Sequence, residues 1–173
     1  MNPGCSFVAV VMGSMTRLDG PADDPSVALE FSEFYRQELT KQVRRAALIL
    51  GSDEAANDVV HDSFAKVFAR WGEIEEPGGY LQRTVLNGCR DGQRRAKRLR
   101  KLLPRLVGDP VIPEEETLWD VVSHLPFNQR AAVVLRFYER MTEAEIAQTM
   151  NCPTGSVGPW ISAALTTMRK ELQ

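Results

Sequence analysis

The sequence predicts an all-α protein built from two small helical domains that a linker joins. Apolar residues recur at three- and four-residue steps from Ala28 onward, which is the period of an amphipathic helix. No segment is rich in strand-forming residues, and no internal repeat is visible. A cluster of Pro and Gly over residues 103–113 interrupts the helical pattern and marks the linker.

Three helices are expected in the first domain, which we place at residues 26–102. The first helix stops at Gly51, and the second begins at Ser52 with an acidic first turn and ends near Trp71. A loop containing Pro and Gly leads into a third helix, whose final turns are strongly basic. Residues 1–25 lack helical periodicity and are rich in Gly, Pro and Asp, so we expect a disordered leader.

The second domain, residues 114–173, is predicted to end in a helix-turn-helix. The sequence TEAE, beginning at Thr142, is a capping box for a short helix that ends near Met150. After a turn, Thr154 can cap a last helix that runs to about Leu172. Two capped helices around a short turn are the outline of a DNA-binding motif, although a plain helical hairpin has the same outline.

The composition favours a reduced, cytoplasmic protein without a metal site or a cofactor. The three Cys lie far apart, and with two His they do not form a typical zinc site. No apolar run approaches the roughly 20 residues of a membrane-spanning helix. No phosphate-binding Gly loop or catalytic geometry is visible, so we do not expect an enzyme. Because the net charge is -2, nucleic-acid binding must come from local basic patches.

One such patch is the segment RDGQRRAKRLRK, residues 90–101. It holds seven basic residues and one acidic residue, and several of them recur at helical spacing, so one helix face becomes a cationic stripe. The stripe suits a nucleic-acid backbone, whereas a solvated helix end needs fewer charges. Trp71 and Tyr80 stand upstream and suit stacking on unpaired bases, although such residues are more often part of a core.

The segment NDVVHDSF, residues 57–64, places polar side chains on one helical face. Asp58, His61 and Asp62 recur at three- and four-residue steps. We favour a face that docks on a partner protein. A merely solvated face is the alternative, and a His–Asp catalytic pair or a metal site has no supporting residues nearby.

In this order, the three features resemble the extracytoplasmic-function group of bacterial RNA polymerase sigma factors, and within it an actinobacterial subgroup often labelled SigE-family. The resemblance covers about residues 28–172. It rests on four stretches in combination: DVVHDSFAKVFARW, PGGYLQRTVLNGCRDGQRR, LPFNQRAAVVLRFYERMTEAEIAQTMNC and GSV. It implies a sigma-two-like helical domain, a flexible linker and a sigma-four-like helix-turn-helix domain.

The resemblance also implies partners and roles. The partners are bacterial core RNA polymerase and promoter DNA, both as duplex and as the melted non-template strand. An anti-sigma factor is a further partner that the family allows. The residues that would dock on core polymerase are Asp58, Val59, His61, Asp62 and Phe64. Those that would hold the minus-ten element are Trp71, Tyr80, Arg83, Asn87, Arg90, Asp91, Arg94, Arg95 and Arg98. Those that would contact the minus-thirty-five element are Arg130, Thr154, Ser156, Val157 and Trp160.

The predicted DNA-reading helix departs from the family pattern. The family commonly has GTVKSRLSRAL where this chain has GSVGPWISAAL, so the usual Lys and Arg are absent. Residues 114–173 contain five basic and eight acidic residues, a net charge of -3, and we expect weak DNA binding by this domain alone. If Thr154 caps the helix, Pro159 is its fifth residue and should kink it mildly.

Two hypotheses fit this departure. In the first, Ser156 and Trp160 make a weak or shape-based contact, and tethering by polymerase supplies most of the affinity. In the second, the domain binds a regulatory protein with Trp160 as an apolar anchor. The alternative to a sigma factor is a stand-alone helix-turn-helix regulator, which explains the C-terminal half but not the polar and basic helices before it.

Overall fold

The computed structural model describes residues 25–102 and 118–172, and every regular element in these ranges is helical. The helices are α1 (Pro25–Leu50), α2 (Asp53–Phe68), α3 (Pro77–Leu102), α4 (Leu118–His124), α5 (Phe127–Val133), α6 (Glu143–Met150) and α7 (Val157–Glu171). Short 3-10 turns lie at Trp71–Glu73 and Thr154–Ser156, and a π-helical turn at Val134–Tyr138. The all-α prediction is confirmed. Apart from Pro25, the predicted leader lies outside the described residues. The predicted linker, residues 103–113, and the acidic turn predicted at residues 114–116 lie outside them as well.

An apolar core holds α1, α2 and α3 together as the N-terminal bundle, and aromatic rings join α1 to α2 within it. The ring centroids of Phe31 and Phe68 are 4.7 Å apart, and those of Tyr35 and Phe64 are 4.6 Å apart. Such pairs contribute roughly 0.5–1.5 kcal/mol beyond the area they bury. The rings therefore fix how α2 lies on α1.

The boundary between α1 and α2 follows the sequence prediction. Gly51 has φ +71°, the left-handed conformation that suits a residue without a Cβ. The Ser52 hydroxyl oxygen accepts a hydrogen bond of 3.2 Å from the backbone N–H of Ala55. The end of α2 differs: it falls at Phe68, before the predicted Trp71, because the chain tightens into a 3-10 turn.

The helices α2 and α3 approach closely at a glycine. A Cβ on Gly88 would lie 2.7 Å from Cγ1 of Val59, which is closer than two carbon atoms can pack. The missing side chain therefore lets the two helices touch. Val60, next to this contact, is completely buried.

The helices α4 to α7 form the C-terminal bundle, which ends in the predicted helix-turn-helix. The capping box of α6 is confirmed: the backbone N–H of Thr142 donates to Oε2 of Glu145 at 2.7 Å, and Oγ1 of Thr142 accepts from the N–H of Glu145 at 3.3 Å. The helix ends at Asn151, whose φ is +50°. Ile146 of α6 and Val157 of α7 are fully buried in the core.

The last helix begins later than predicted. Ser156 stands at its N-cap without a side-chain bond, and Thr154 belongs to the preceding 3-10 turn. Pro159 is thus the third residue of α7 and not the fifth. Because the first N–H groups of a helix have no acceptor within it, a Pro at this position removes no bond of α7. The expected kink therefore has no cause.

The two bundles pack against each other. The helix α1 contacts α4 and α5, and α3 contacts α6. Buried apolar residues of both bundles belong to one continuous core. Polar connections also cross the boundary: an ion pair between Arg45 and Glu139, and hydrogen bonds from Arg130 to the carbonyl of Ile49 and from Arg90 to the carbonyl of Met150.

Candidate nucleic-acid and partner interfaces

The polar face of α2 is presented to solvent. Asp58 and Asp62 are exposed, and His61 is half-buried. Burial lowers the pKa of His61 below its ordinary value, while the carboxylates of Asp58 and Asp62 act in the opposite direction by favouring the imidazolium. Near neutral pH the face therefore presents a mostly neutral imidazole between two negative charges.

Two further residues of the predicted docking set lie at or beneath this face. Phe64 is 2% exposed, and its ring packs among Phe31, Phe34 and Tyr35. The partner contact predicted for Phe64 is not available in this structure, because the ring belongs to the core and orients α2. Val59 is half-buried at the contact with α3.

The two aromatic residues of the predicted minus-ten set have different surroundings. Trp71 packs on the core, with its ring centroid 5.2 Å from that of Phe31 and 5.1 Å from that of Phe34. Tyr80 is half-buried at the start of α3, and its hydroxyl oxygen accepts a hydrogen bond from Arg70 at 3.3 Å. Both rings are half-buried, but Trp71 contacts other aromatic rings whereas Tyr80 contacts Arg70.

Arg70 lies next to Tyr80, although the sequence did not predict it as part of the minus-ten set. Its guanidinium carbon lies 5.6 Å from the centre of the Tyr80 ring, and its Nε donates to Glu73 at 3.1 Å. The hydrogen bond to Glu73, and after it the one to Tyr80, raises the pKa of Arg70. Arg70 and Glu73 stand three residues apart, a spacing at which opposite charges can pair on a helical turn, and this was the available signal in the sequence.

The helix α3 carries a cationic face, as the sequence predicts. Arg94, Arg95 and Arg98 are exposed. Asn87 and Asp91 are exposed on the same helix. Arg83, near the start of α3, is half-buried. Asp91 lies 4.0 Å from Nη1 of Arg94 and offsets part of this charge, but the exposed arginines still leave a row of positive charge in contact with solvent.

Arg90 is drawn toward the C-terminal bundle. Its Nη2 donates to the carbonyl of Met150 at 3.4 Å, and its guanidinium carbon lies 5.3 Å from the centre of the Phe127 ring. A groove of about 490 Å³ opens beside it between the bundles. The groove brings together Arg90 and Arg94, predicted for the minus-ten element, with Trp160, predicted for the minus-thirty-five element.

Arg130 is 5% exposed and is bound by backbone carbonyls. Its Nη1 donates to Ile49 at 2.8 Å, and its Nη2 donates to Leu125 at 3.1 Å and to Ser123. Burial lowers the pKa of this guanidinium. The phosphate contact predicted for Arg130 is therefore not available in this structure, because the side chain is enclosed between α1, α4 and α5.

The other residues of the predicted minus-thirty-five set lie at the start of α7. Thr154 is exposed, and Ser156 and Trp160 are half-buried. Val157 is fully buried, so it holds the helix-turn-helix together and does not reach the surface. The exposed part of the set therefore contains no basic side chain.

An acidic side chain lies beside Gly158, the position at which the family commonly has a Lys. A Cβ on Gly158 would lie 3.4 Å from Oε2 of Glu143 in α6. A carboxylate at this point disfavours a nearby phosphate.

The described ranges contain no cluster of three or more His, Cys, Asp and Glu that could bind a metal ion. The same ranges contain no helix that is both long and apolar enough to cross a bilayer. Cys89 and Cys152 are free thiols.

Comparison with known proteins gives related sequences over most of the chain. Residues 115–168 match the family described as Sigma-70, region 4. The RNA polymerase sigma-E factor of Streptomyces coelicolor is 30% identical over 154 residues, which covers 83% of this chain and 86% of that protein. The RNA polymerase sigma-E factor of Streptomyces avermitilis is 26% identical over 155 residues, which covers 84% and 86%.

Solved structures share the fold. The sigma factor RpoE from Bartonella quintana, in complex with the anti-sigma factor NepR, gives a TM-score of 0.65 at 17% identity, covering 83% of this chain and 96% of that one. CnrH, in complex with the cytosolic domain of CnrY, gives 0.60 at 20% identity, covering 96% and 95%. The two Streptomyces proteins and RpoE are sigma factors by name. The chain belongs to the extracytoplasmic-function group of this family, whose members are transcription initiation factors.

Proposed function

We propose that this sigma factor binds core RNA polymerase, directs it to promoters and helps to melt the minus-ten element. The observation that carries the proposal is the presence of three distinct surfaces on one chain. These are the polar face of α2, the cationic face of α3 and the helix-turn-helix of α6 and α7. Each surface supports one step.

Docking on core polymerase is assigned to Asp58, His61 and Asp62, with Val59 at the edge. The three polar side chains lie on one face of a helix that Phe64 fixes against the core. Two carboxylates around a mostly neutral imidazole complement a partner surface with basic residues and hydrogen-bonding groups.

Binding of the minus-ten element is assigned to the start and the cationic face of α3. Arg94, Arg95 and Arg98 supply positive charge for the phosphates. Extruding a base costs a few kcal/mol, which stacking on an aromatic ring can offset. Tyr80 provides such a ring, and Arg70 above it extends the positive charge to the loop.

Contact with the minus-thirty-five element is assigned to Thr154, Ser156 and Trp160. The surface has no basic side chain, and Glu143 lies next to it. We therefore propose a weak contact that matters because core polymerase tethers the domain near the promoter at a high effective concentration.

An anti-sigma factor is included among the proposed partners. The solved relative from Bartonella quintana, which is bound to such a protein, supports this partner. We expect an anti-sigma factor to compete with core polymerase or promoter DNA for the surfaces described above.

Run-off transcription with purified bacterial core polymerase on a pool of genomic promoter fragments tests the function. We expect transcripts with defined starts only when the protein is added. The double variant R94Q/R98Q should reduce them about tenfold or more, since two phosphate contacts are lost. The matched variant R36Q/R44Q changes the charge equally on exposed positions of α1 and should retain activity.

The docking surface is tested separately by co-elution with core polymerase. The variant D58N/D62N should weaken co-elution while leaving the helical content unchanged. If the wild-type protein neither co-elutes with core polymerase nor produces defined transcripts, the proposed function is wrong, and the stand-alone regulator becomes the better explanation.

A further inference from the structure

The groove of about 490 Å³ between the two bundles has the size of a small-molecule site. Pockets that hold such ligands range from about 300 to 1,000 Å³. The residues that line the groove come from α3, from the start of α5, from the turn after α6 and from the start of α7. Because buried apolar residues of both bundles belong to one continuous core, that core holds the two sides of the groove in place. The groove is therefore preformed.

The groove carries positive charge that no lining residue offsets. Arg90 and Arg94 line it, and none of the described residues that line it is acidic. Asp91 lies 4.0 Å from Nη1 of Arg94, but both side chains are exposed, so solvent weakens this ion pair. Guanidinium groups present planar sets of N–H donors that match phosphate oxygens. The lining therefore favours an anion, and a phosphate in particular.

Arg90 is held in position at the edge of the groove. Its Nη2 donates to the carbonyl of Met150 at 3.4 Å, and its guanidinium carbon lies 5.3 Å from the centre of the Phe127 ring. A guanidinium has five N–H donors, and this hydrogen bond uses one of them. Donors therefore remain for a ligand, and a side chain that is already held loses less freedom when the ligand binds.

An aromatic ring and several amides complete the lining. Trp160 is half-buried, and its indole offers a flat surface on which a nucleobase can stack. Gln93, Asn128 and Gln129 also line the groove, and each is half-buried. An amide side chain presents both a donor and an acceptor, and it pairs well with N6 and N7 of adenine. The groove thus combines groups that suit the phosphates, the ring and the ring edge of one nucleotide.

We propose that the groove binds a free adenine nucleotide, with its phosphates at Arg90 and Arg94 and its base on Trp160. The proposal goes beyond the proposed function, because it adds a small-molecule ligand and requires neither polymerase nor promoter. A nucleotide within a DNA strand offers the same chemical groups, so the experiment separates these two sources.

Isothermal titration calorimetry of the full-length protein tests the site with ATP, GTP, adenosine and inorganic tripolyphosphate. We expect ATP to bind with a Kd of about 1 mM or lower. It should bind about tenfold more tightly than adenosine or tripolyphosphate, because each of these makes only one part of the contacts. GTP should bind about tenfold more weakly than ATP, because guanine lacks the N6 donor. Equal affinities for ATP, GTP and tripolyphosphate would show a general anion surface and overturn the proposal.

Two variants separate the phosphate contact from the base contact. Arg94→Gln should weaken ATP binding about tenfold and leave adenosine binding unchanged, because a charge-assisted hydrogen bond is lost. Trp160→Leu should weaken ATP and adenosine about tenfold and leave tripolyphosphate unchanged, because the stacking surface is lost. The control Arg44→Gln removes the same charge from an exposed position of α1 and should bind ATP like the wild type. Unchanged ATP binding in either folded variant contradicts the proposal.

Circular dichroism checks that Trp160→Leu folds. Arg94 is exposed, so Arg94→Gln keeps the test decisive if Trp160→Leu does not fold. A single-stranded oligonucleotide is titrated as the other source of nucleotides. If the oligonucleotide binds in a manner that depends on Arg94 and ATP does not bind, the groove serves a DNA strand, and the proposal of a free nucleotide is wrong. Because no polymerase is present, that result leaves the proposed function to be judged by transcription alone.

Discussion

Cys89 and Cys152 show how far the surroundings of one side chain type can differ. Cys89 is completely buried in α3, and burial raises the pKa of its thiol to about 12, while Arg45 nearby acts weakly in the opposite direction. Cys152 is half-buried in the turn after α6, and burial raises the pKa of its thiol as well, while Arg90 acts in the opposite direction. Because the thiolate is the reactive form, the two thiols should react at very different rates.

We therefore expect iodoacetamide at about pH 8.5, the ordinary pKa of a free thiol, to alkylate Cys152 and to leave Cys89 unmodified in the native protein. Peptide mass spectrometry measures each site separately. In urea both should react, and Cys152→Ser serves as the control for peptide assignment. Equal labelling of Cys89 in native and unfolded protein would contradict its buried position.

At the same scale, spacing in the sequence predicted which candidate residues share a helix face, but it did not predict which of them are buried. Asp58, His61 and Asp62 share one surface, as their spacing predicts. Phe64 and Arg130 were expected at surfaces and are buried. A local pattern does not show that Arg130 meets the carbonyl of a residue 81 positions earlier, because only the packing of the bundles creates that contact.

At the scale of the elements, local chemistry predicted the helix boundaries well where a cap or a glycine marks them. Gly51, Ser52 and the capping box at Thr142 all lie where expected. The start of α7 was missed because Thr154 and Ser156 are both plausible caps, and the choice depends on the 3-10 turn between them. The correction also removes the reason to expect a kink at Pro159.

Two glycines of α3 provide a matched test of helix packing. In a helix, Ala is more stable than Gly by about 1 kcal/mol. A Cβ at position 92 would approach nothing closer than Cδ2 of Leu50, at 4.0 Å, so Gly92→Ala should raise the free energy of unfolding by about 0.5–1 kcal/mol. A Cβ at position 88 would meet Val59 at 2.7 Å, and overpacking costs about 1–3 kcal/mol.

We therefore expect Gly88→Ala to lower the free energy of unfolding by about 1 kcal/mol, the difference between overpacking and helix preference. Urea denaturation followed by circular dichroism measures both variants. If Gly88→Ala were as stabilising as Gly92→Ala, α2 and α3 would not be in close contact at this point.

The recognition helix can be tested by restoring the residues that the family commonly has. The double variant G158K/W160R should strengthen binding to a minus-thirty-five duplex by about tenfold, which corresponds to one good base contact. A Lys at position 158 would lie beside Glu143 and be partly neutralised by it. Adding Glu143→Gln to G158K/W160R should therefore increase the affinity for the duplex further. Glu143→Gln alone is the control.

Fluorescence anisotropy with the duplex measures these affinities. A higher affinity of G158K/W160R for the duplex would support the hypothesis that the native helix makes only a weak promoter contact. No gain, together with loss of a regulatory protein that co-purifies with the wild type, would favour the rival hypothesis in which Trp160 anchors that protein.

At the scale of the whole molecule, the order of the surfaces was predictable and their mutual packing was not. The four matching stretches indicated the family, and the relatives of Streptomyces confirm it. Nothing in the sequence near Arg45 or Glu139 points to the other residue, 94 positions away. Arg45 does fall on the buried stripe of α1 with Ala46 and Ile49, and a charged residue on such a stripe was the available signal of a distant partner.

The charge of the whole molecule leads to a prediction about salt. The net charge is -2, so the protein is not drawn to DNA by an overall positive field, and we expect its phosphate contacts on the cationic face of α3. Each phosphate contact contributes about 0.9 to the slope of log affinity against log salt for duplex DNA and about 0.7 for a single strand. If Arg94 and Arg98 both contact phosphates, R94Q/R98Q should reduce the slope of the polymerase complex on a promoter by about 1.4–1.8.

The matched variant R36Q/R44Q separates a local effect from an effect of total charge. Both double variants change the net charge of the protein by the same amount, but Arg36 and Arg44 lie on α1, outside the proposed DNA path. The slope should therefore stay at the wild-type value for R36Q/R44Q. An equal reduction in both variants would mean that DNA responds to the total charge of the complex, and the cationic face of α3 would lose its assigned role.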